Sequence, residues 1–268
     1  MLPIDSYITR GRINIPYSKL FRSKAELSYP PFAHLQRANL EGKSKFYGAV
    51  IEVEDKGKDV DDARVCVLCE ISAFARNINS VGIEVVTFSF WRCNRDLHLL
   101  SIPIFDSYDK PSDLIRRINN QWDFLTRHSL ISNEHICRLK TLSKLFADDF
   151  SGHEDNDTYV KNCYNQTASF SEYLMQDDKV DGLIYPSARL KGHGLNIVVK
   201  QKVVDETLIL HQVVVSYICK GEDKPLVMNI FNCKNPATGI KYLHCSEDVK
   251  LLKKWKKGHG RMADYVNK

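Results

Sequence analysis

The amino-acid sequence predicts an α+β fold with a central block of helices. β-Branched and aromatic runs collect up to Phe105 and again beyond Asp181, while helix-compatible stretches fill the interval. No regular strand–helix–strand rhythm links the two strand-rich regions, which favours α+β over a doubly wound sheet. Neither a Walker phosphate loop nor a Gly-x-Gly-x-x-Gly fingerprint is present, so a conventional dinucleotide fold has no support.

The elements follow in order. Pro3, Pro16, Pro30 and Pro31 predict an N-terminal arm that wraps over the body. A short apolar segment follows Lys45, then a solvated loop from Glu54 to Asp62. Ala63 to Phe74 is apolar and reads equally as helix or strand. Val81–Phe90 and Leu97–Phe105, separated by polar Arg92, Asn94, Arg95 and Asp96, read as a pair of strands.

Pro111-Ser112-Asp113 predicts a helix start, with Ile115, Ile118 and Trp122 along one face. Two further helices are expected over Glu134–Phe146 and Thr158–Leu174. Strands are expected at Leu183–Tyr185, Leu195–Lys200 and Glu206–Cys219. Ser246-Glu247-Asp248 opens a last helix, with Val249, Leu252 and Trp255 as its buried stripe.

Composition bounds the function classes. The 268 residues are 43% hydrophobic and 26% charged, as in ordinary globular chains. No stretch approaches the roughly 20 apolar residues of a membrane span. Met1–Arg10 lacks the basic-then-apolar order of a secretory signal, so a cytoplasmic protein with no membrane association is expected. The eight cysteines then read as reduced. Cys66 and Cys69 have the spacing of a metal pair but lie in an apolar run with no second close pair, so core packing is expected and no metal. The formal net charge is +5 at pH 7, partly from the tail lysines, which read as a solvated face rather than a nucleic-acid site.

Three islands carry chemistry. Arg37-Ala38-Asn39 precedes Gly42 and Phe46-Tyr47-Gly48-Ala49. Glu70 ends an apolar run after Leu68-Cys69. Asp181 to Arg189 contains Tyr185-Pro186-Ser187, with Gly192, Gly194 and Asn196 beyond. Singly, each residue has an ordinary role: a surface ion pair for Arg37, a core aromatic for Tyr47, a strand-ending turn for Ser187.

Together, in order and type, the islands resemble the RES family, named for its arginine, glutamate and serine. Arg37 stands ten positions before Tyr47, Glu70 follows, and the Asp-Gly start and Tyr-Pro-Ser-x-Arg finish of the last island are its most specific part. The likeness spans roughly Arg37 to Lys200. The interval from Tyr47 to Glu70 is longer than in compact members and contains Glu52 and Glu54, either of which is an alternative glutamate. The apolar setting of Glu70 favours it. Arg10 and Arg12, in the arm, lie outside the shared core.

The resemblance implies an ADP-ribosyltransferase-like set of mixed sheets, with an arm at 1–30, a RES catalytic domain at 31–245 and a basic helix at 246–268 packed on it. It implies an enzyme that cleaves the nicotinamide–ribose bond of NAD by hydrolysis or phosphorolysis, as a toxin. NAD is substrate and no cofactor is needed. In that chemistry Glu70 stabilises the oxocarbenium-like ribose, Arg37 holds the pyrophosphate bidentately, and Tyr47 stacks on the nicotinamide. Ser187 hydrogen-bonds the ribose or amide, Arg189 is a second phosphate contact, and Asn39 belongs to the NAD-binding set and shapes the turn that presents Arg37. An Xre-type antitoxin is the implied partner, and a homo-oligomer is left open. ADP-ribosyl transfer to a protein or small acceptor uses the same residues. A non-catalytic binding module using the basic tail is the reading from a different class.

Overall fold

The computed structural model describes residues 1–16, 18–50, 59–102, 113–128, 130–151, 157–187, 189–190, 194–221, 225–234, 236 and 239–259. In chain order these form β1 (Tyr7–Ile13), α1 (Lys24–Leu27), β2 (Phe46–Val50), α2 (Asp59–Ile71), α3 (Ala73–Arg76), β3 (Gly82–Cys93) and β4 (Leu99–Ser101). There follow α4 (Asp113–His128), α5 (Asn133–Ser151), α6 (Asp157–Leu174), β5 (Gly182–Pro186), β6 (Leu195–Val199) and α7 (Gln201–Thr207). The chain then forms β7 (Leu208–Lys220), β8 (Leu226–Lys234), β9 (Leu243–His244) and α8 (Ser246–His259).

The fold is mixed α and β. Among the described residues all strands join one nine-stranded sheet in the order β4-β5-β6-β2-β1-β3-β7-β8-β9. Only β4 and β5 run parallel; the other neighbours are antiparallel. Three helices, α4 to α6, separate β4 from β5.

Both faces of the sheet centre are covered, which is why every residue of β3 except Arg92 is buried. On one face α2 lays Ala63, Cys66 and Val67 against Ala49, Phe88 and Val214. Beside it Ala147 and Phe150 of α5 pack on Leu183, Tyr185 and Val198. The opposite face holds Ile8, Phe46, Trp91 and Ile197 under Val203 and Val204 of α7. On α8, Leu252 and Trp255 pack with Ile83, Met228 and Ile230, while the lysines at 250, 253, 254, 256 and 257 are exposed. Each large apolar side chain so buried contributes roughly 1.5–3 kcal/mol.

Four local expectations are corrected. Within the expected arm, Tyr7–Ile13 form β1 between β2 and β3, near the middle of the sheet. The prolines flank that strand instead of interrupting it. The strands expected as a pair do not meet: β3 pairs with β1 and β7, while β4 lies at the sheet edge against β5. Adjacency in sequence decides nothing once later strands insert between them. Asp59 to Asp62, expected in a loop, begin α2. The start of the long strand expected from Glu206 is helical, because α7 runs through Thr207 before β7 begins. Glu52, Glu54, Phe105, Pro111 and Ser112 lie outside the described residues.

Candidate functional site

α2 brings Glu70 to the sheet. Ala63, Cys66 and Val67 recur at helical spacing and form its sheet-facing stripe, and Glu70 continues that stripe by one further turn. A carboxylate on such a stripe must find donors. Glu70 Oε1 accepts from the Ser187 hydroxyl at 2.7 Å and from the Asn196 side-chain amide at 2.8 Å. Ser187 follows β5 and is fully buried; Asn196 lies within β6 and is 6% exposed.

β5 and β6 hold these two donors together. Tyr185 is opposite Asn196 in the antiparallel register, and the Ser187 amide donates to the Gly194 carbonyl at 3.0 Å. Close approach at the start of β5 requires glycine: a Cβ on Gly182 would lie 2.0 Å from the Val198 carbonyl oxygen. Asp181 is equally architectural. Its carboxylate takes a bidentate pair from Arg95 at 2.7 and 2.8 Å and the His98 amide at 2.8 Å. Burial pushes its pKa up, but Arg95 and the His98 amide outweigh that and hold it below the usual carboxylate value.

A second convergence occurs where β1 and β2 part. Their pairing covers Ile8↔Val50 and Thr9↔Ala49, whereas β2 pairs with β6 along all five residues. A cavity of about 90 Å³ opens beside the unpaired stretch, with Arg10, Tyr47, Gly48, Glu70, Tyr185 and Asn196 in its wall. That is room for about three waters, below the roughly 300–1,000 Å³ of ordinary ligand pockets.

Arg10 reaches this gap from the other side of the strand. Gly11 faces α2, where an added Cβ would meet Val67 at 2.5 Å, so its neighbour Arg10 takes the opposite face. The Arg10 Nη1 donates to the Tyr47 carbonyl at 2.7 Å, and the guanidinium lies 5.3 Å from the Phe46 ring centroid. Its Nε is shut off from solvent without a hydrogen-bond partner, and no carboxylate pairs with Arg10 among the described residues. Burial, and then the neighbouring Arg12, lower its pKa. The delocalised guanidinium still keeps its charge at neutral pH.

Tyr47 is fixed at its far end. Its hydroxyl donates to Asn39 Oδ1 at 2.6 Å and accepts from the Ala38 amide at 3.1 Å. Asn39 is fully buried and donates to the carbonyls of His34 and Leu40. It therefore anchors Tyr47 as well as shaping its own turn. Burial drives the phenols of Tyr47 and Tyr185 upward in pKa, so both are neutral near pH 7.

Arg37 lies just outside the cavity wall. Its Nη1 donates to the Phe150 carbonyl, and its guanidinium stands 5.6 Å from the Tyr164 ring centroid. Both charges act on Tyr185: burial raises its phenol pKa most, Tyr47 adds to that, Arg37 draws it down and Glu70 pushes it up. Arg189 follows at the turn beyond β5, outside the cavity wall, and Gly192 and His193 lie outside the described residues.

Ser187 thus touches Glu70 directly, Tyr47 shares the cavity wall with it, Asn39 joins through Tyr47, and Arg37 lies outside that wall. Sequence reasoning missed Arg10 and Tyr185 as wall residues. β-Branched Ile8, Thr9 and Ile13 were the available strand signal for the first. Cys66 is fully buried in the α2 core, and its thiol is pushed up to about 12, first by burial and then by the Glu70 charge. The larger open cavity of about 480 Å³ at β8 and β9 carries Lys234, Lys241 and His244 but no carboxylate among its lining residues. It suits an anion, not a developing cation. The chain matches no family model and no curated protein.

Proposed function

We propose that the chain cleaves the nicotinamide–ribose bond of NAD, as the RES-type proteins it resembles do, and that its sheet is of the ADP-ribosyltransferase kind. One observation carries this reading: a carboxylate and a partly buried guanidinium with no carboxylate partner among the described residues wall the same cavity as two neutral phenols. Bond cleavage places positive charge on the ribose, which a fixed carboxylate stabilises. Glu70 fills that role. The pyrophosphate needs permanent positive charge, and a partly buried guanidinium gains from an anion when no carboxylate neutralises it.

Arg10 therefore joins Arg37 as an anion ligand. Arg37 uses one of its five donors on Phe150 among the described contacts, which leaves others for phosphate oxygens. Tyr47 offers a ring face to the nicotinamide end, and cation–π attraction to the pyridinium favours binding. That attraction weakens as neutral nicotinamide forms, so it serves positioning more than rate. Ser187 is fully buried with its proton directed to Glu70, which suits it to orienting the carboxylate rather than to nucleophilic attack. A toxin role, an Xre-type antitoxin and cytoplasmic residence belong to the same reading. Among the described residues no helix is long and apolar enough to cross a membrane.

Incubating the purified chain with NAD and identifying the products tests the reading. Free nicotinamide with ADP-ribose, or with ADP-ribose 1″-phosphate when phosphate is supplied, supports it. Radiolabel from the adenylate of NAD entering a macromolecule shifts the reading to ADP-ribosyl transfer. Intact NAD after prolonged incubation in water, phosphate and cell extract contradicts both.

A further inference from the structure

Cys66 and Glu70 are four residues apart on α2 and so project from one face of the helix. Between them stands the Asn196 amide. Asn196 Oδ1 accepts from the Cys66 thiol at 3.5 Å, and its Nδ2 donates to Glu70 Oε1 at 2.8 Å. The backbone of Asn196 is held on both sides, opposite Ala49 in β2 and Tyr185 in β5. Only its side chain has freedom, and the two contacts from α2 remove it.

The chemistry of the two contacts permits one amide orientation. An ionised carboxylate only accepts, and a protonated thiol is a donor. A flipped amide would set its oxygen against Glu70 and its N–H groups against the thiol hydrogen. The thiol bond is weak by itself; its value lies in rejecting the wrong orientation inside a closed site, where an unmatched polar group is costly. Cys66 is fully buried, as is Ser187, so water does not substitute for either.

Both donors to Glu70, Ser187 and Asn196, fall on the same oxygen. Oε1 is occupied twice, and Oε2 receives no hydrogen bond among the described residues. We propose that Asn196 is a positioning residue, held in its one useful orientation by Cys66, that turns the Glu70 carboxylate so that Oε2 alone is offered to the substrate. This rests on the NAD-cleaving reading for its kinetic consequence, though not for its geometry. A carboxylate pinned through one oxygen keeps its other oxygen at a fixed place relative to the anomeric carbon, which is what preorganised stabilisation of a developing cation requires.

Three variants test it. Cys66→Val removes the thiol donor and retains an apolar side chain; Cys66→Ser retains a donor. For Cys66→Val, kcat falls ~tenfold, the kinetic equivalent of one lost hydrogen bond, while KM for NAD moves less than about twofold because ground-state binding is untouched. Cys66→Ser recovers most of that rate. Asn196→Asp places a second carboxylate against Glu70, and the pair then shares a proton up to higher pH. The acid limb of the kcat profile moves upward, in a surrounding of Arg10, Tyr47, Tyr185, Cys66 and Cys69.

A readout independent of turnover accompanies these. In ¹⁵N-labelled protein, the Asn196 side-chain amide protons exchange slowly in the parent and in Cys66→Ser, and rapidly in Cys66→Val. Equal exchange in all three overturns the orientation lock, whatever the activity. Slow exchange with the expected Cys66 pattern but no NAD turnover in the parent removes the proposed reaction and leaves the lock standing. Equal kcat for Cys66→Val and parent, in an active enzyme, overturns the positioning role.

Discussion

The Arg10 guanidinium donates to the Tyr47 carbonyl across 2.7 Å at the point where β1 and β2 stop pairing. An arginine side chain thus occupies a place that a ladder hydrogen bond would otherwise fill. A sheet opened by one pair of strands acquires a cavity, and the residue that props it open brings a positive charge. Fold and candidate site share this feature.

Replacing Arg10 separates the two roles. Arg10→Met removes a charge with no carboxylate partner among the described residues, at the expense of one hydrogen bond worth about 1 kcal/mol, while relief of the desolvation cost acts in the opposite direction. Thermal melting should shift by no more than about 4 °C for each kcal/mol of net change, whereas nicotinamide release falls at least a hundredfold. Calorimetry and turnover on the same sample check both. A drop in Tm of more than about 10 °C would mean that Arg10 is mainly architectural.

Tyr47→Phe keeps the ring and deletes a hydroxyl that both donates and accepts. Stability should fall by about 1–3 kcal/mol, since Asn39 Oδ1 is left buried without its partner. KM for NAD should change less than threefold, because the ring face remains. Tyr47→Ala should raise KM at least tenfold. Urea titration and steady-state kinetics distinguish the two variants; parallel losses in both quantities for Tyr47→Phe would assign the hydroxyl to the reaction.

Asp181 supports a pH prediction. Its folded-state pKa is held below the unfolded value by Arg95 and the His98 amide against the opposing effect of burial. The contribution is therefore complete above the unfolded pKa, near 4, and is lost as pH falls through the folded one. Asp181→Asn should cost about 2 kcal/mol at pH 7, a value discounted for the 43% exposure of the Arg95 side chain. The difference from the parent should shrink as pH is lowered below 4 in denaturant titrations. A constant difference from pH 7 to 3 would contradict this assignment.

Gly182→Ala should prevent folding or cost more than about 3 kcal/mol, because backbone, not a movable side chain, occupies the space of the added methyl. Circular dichroism of the expressed variant checks it. A parent-like melting curve would refute the close approach.

Much of this organisation was readable locally. The helix expected at 134–146 lies within α5, the one at 158–174 matches α6 almost to its ends, and the strands at β5 and β6 follow their apolar runs. These are segments whose periodicity and burial agree. β1 was not legible, because four prolines around it look like a wrapping arm when its partners cannot be seen. The destination of β4 was hidden for the same reason: its partner β5 follows three intervening helices. At the site, Glu70 stood out as a carboxylate ending an apolar run. The inclusion of Arg10 and Tyr185 depends on sheet register, which composition does not encode.

Nicotinamide release from NAD, measured side by side for the parent chain and Glu70→Gln, bears most directly on the carboxylate's role. Glutamine keeps the shape and removes the negative charge, so the rate should fall at least a hundredfold with Tm changed by only a few degrees. A parent that turns NAD over and a glutamine variant that matches it would show that Glu70 takes no part in breaking the bond.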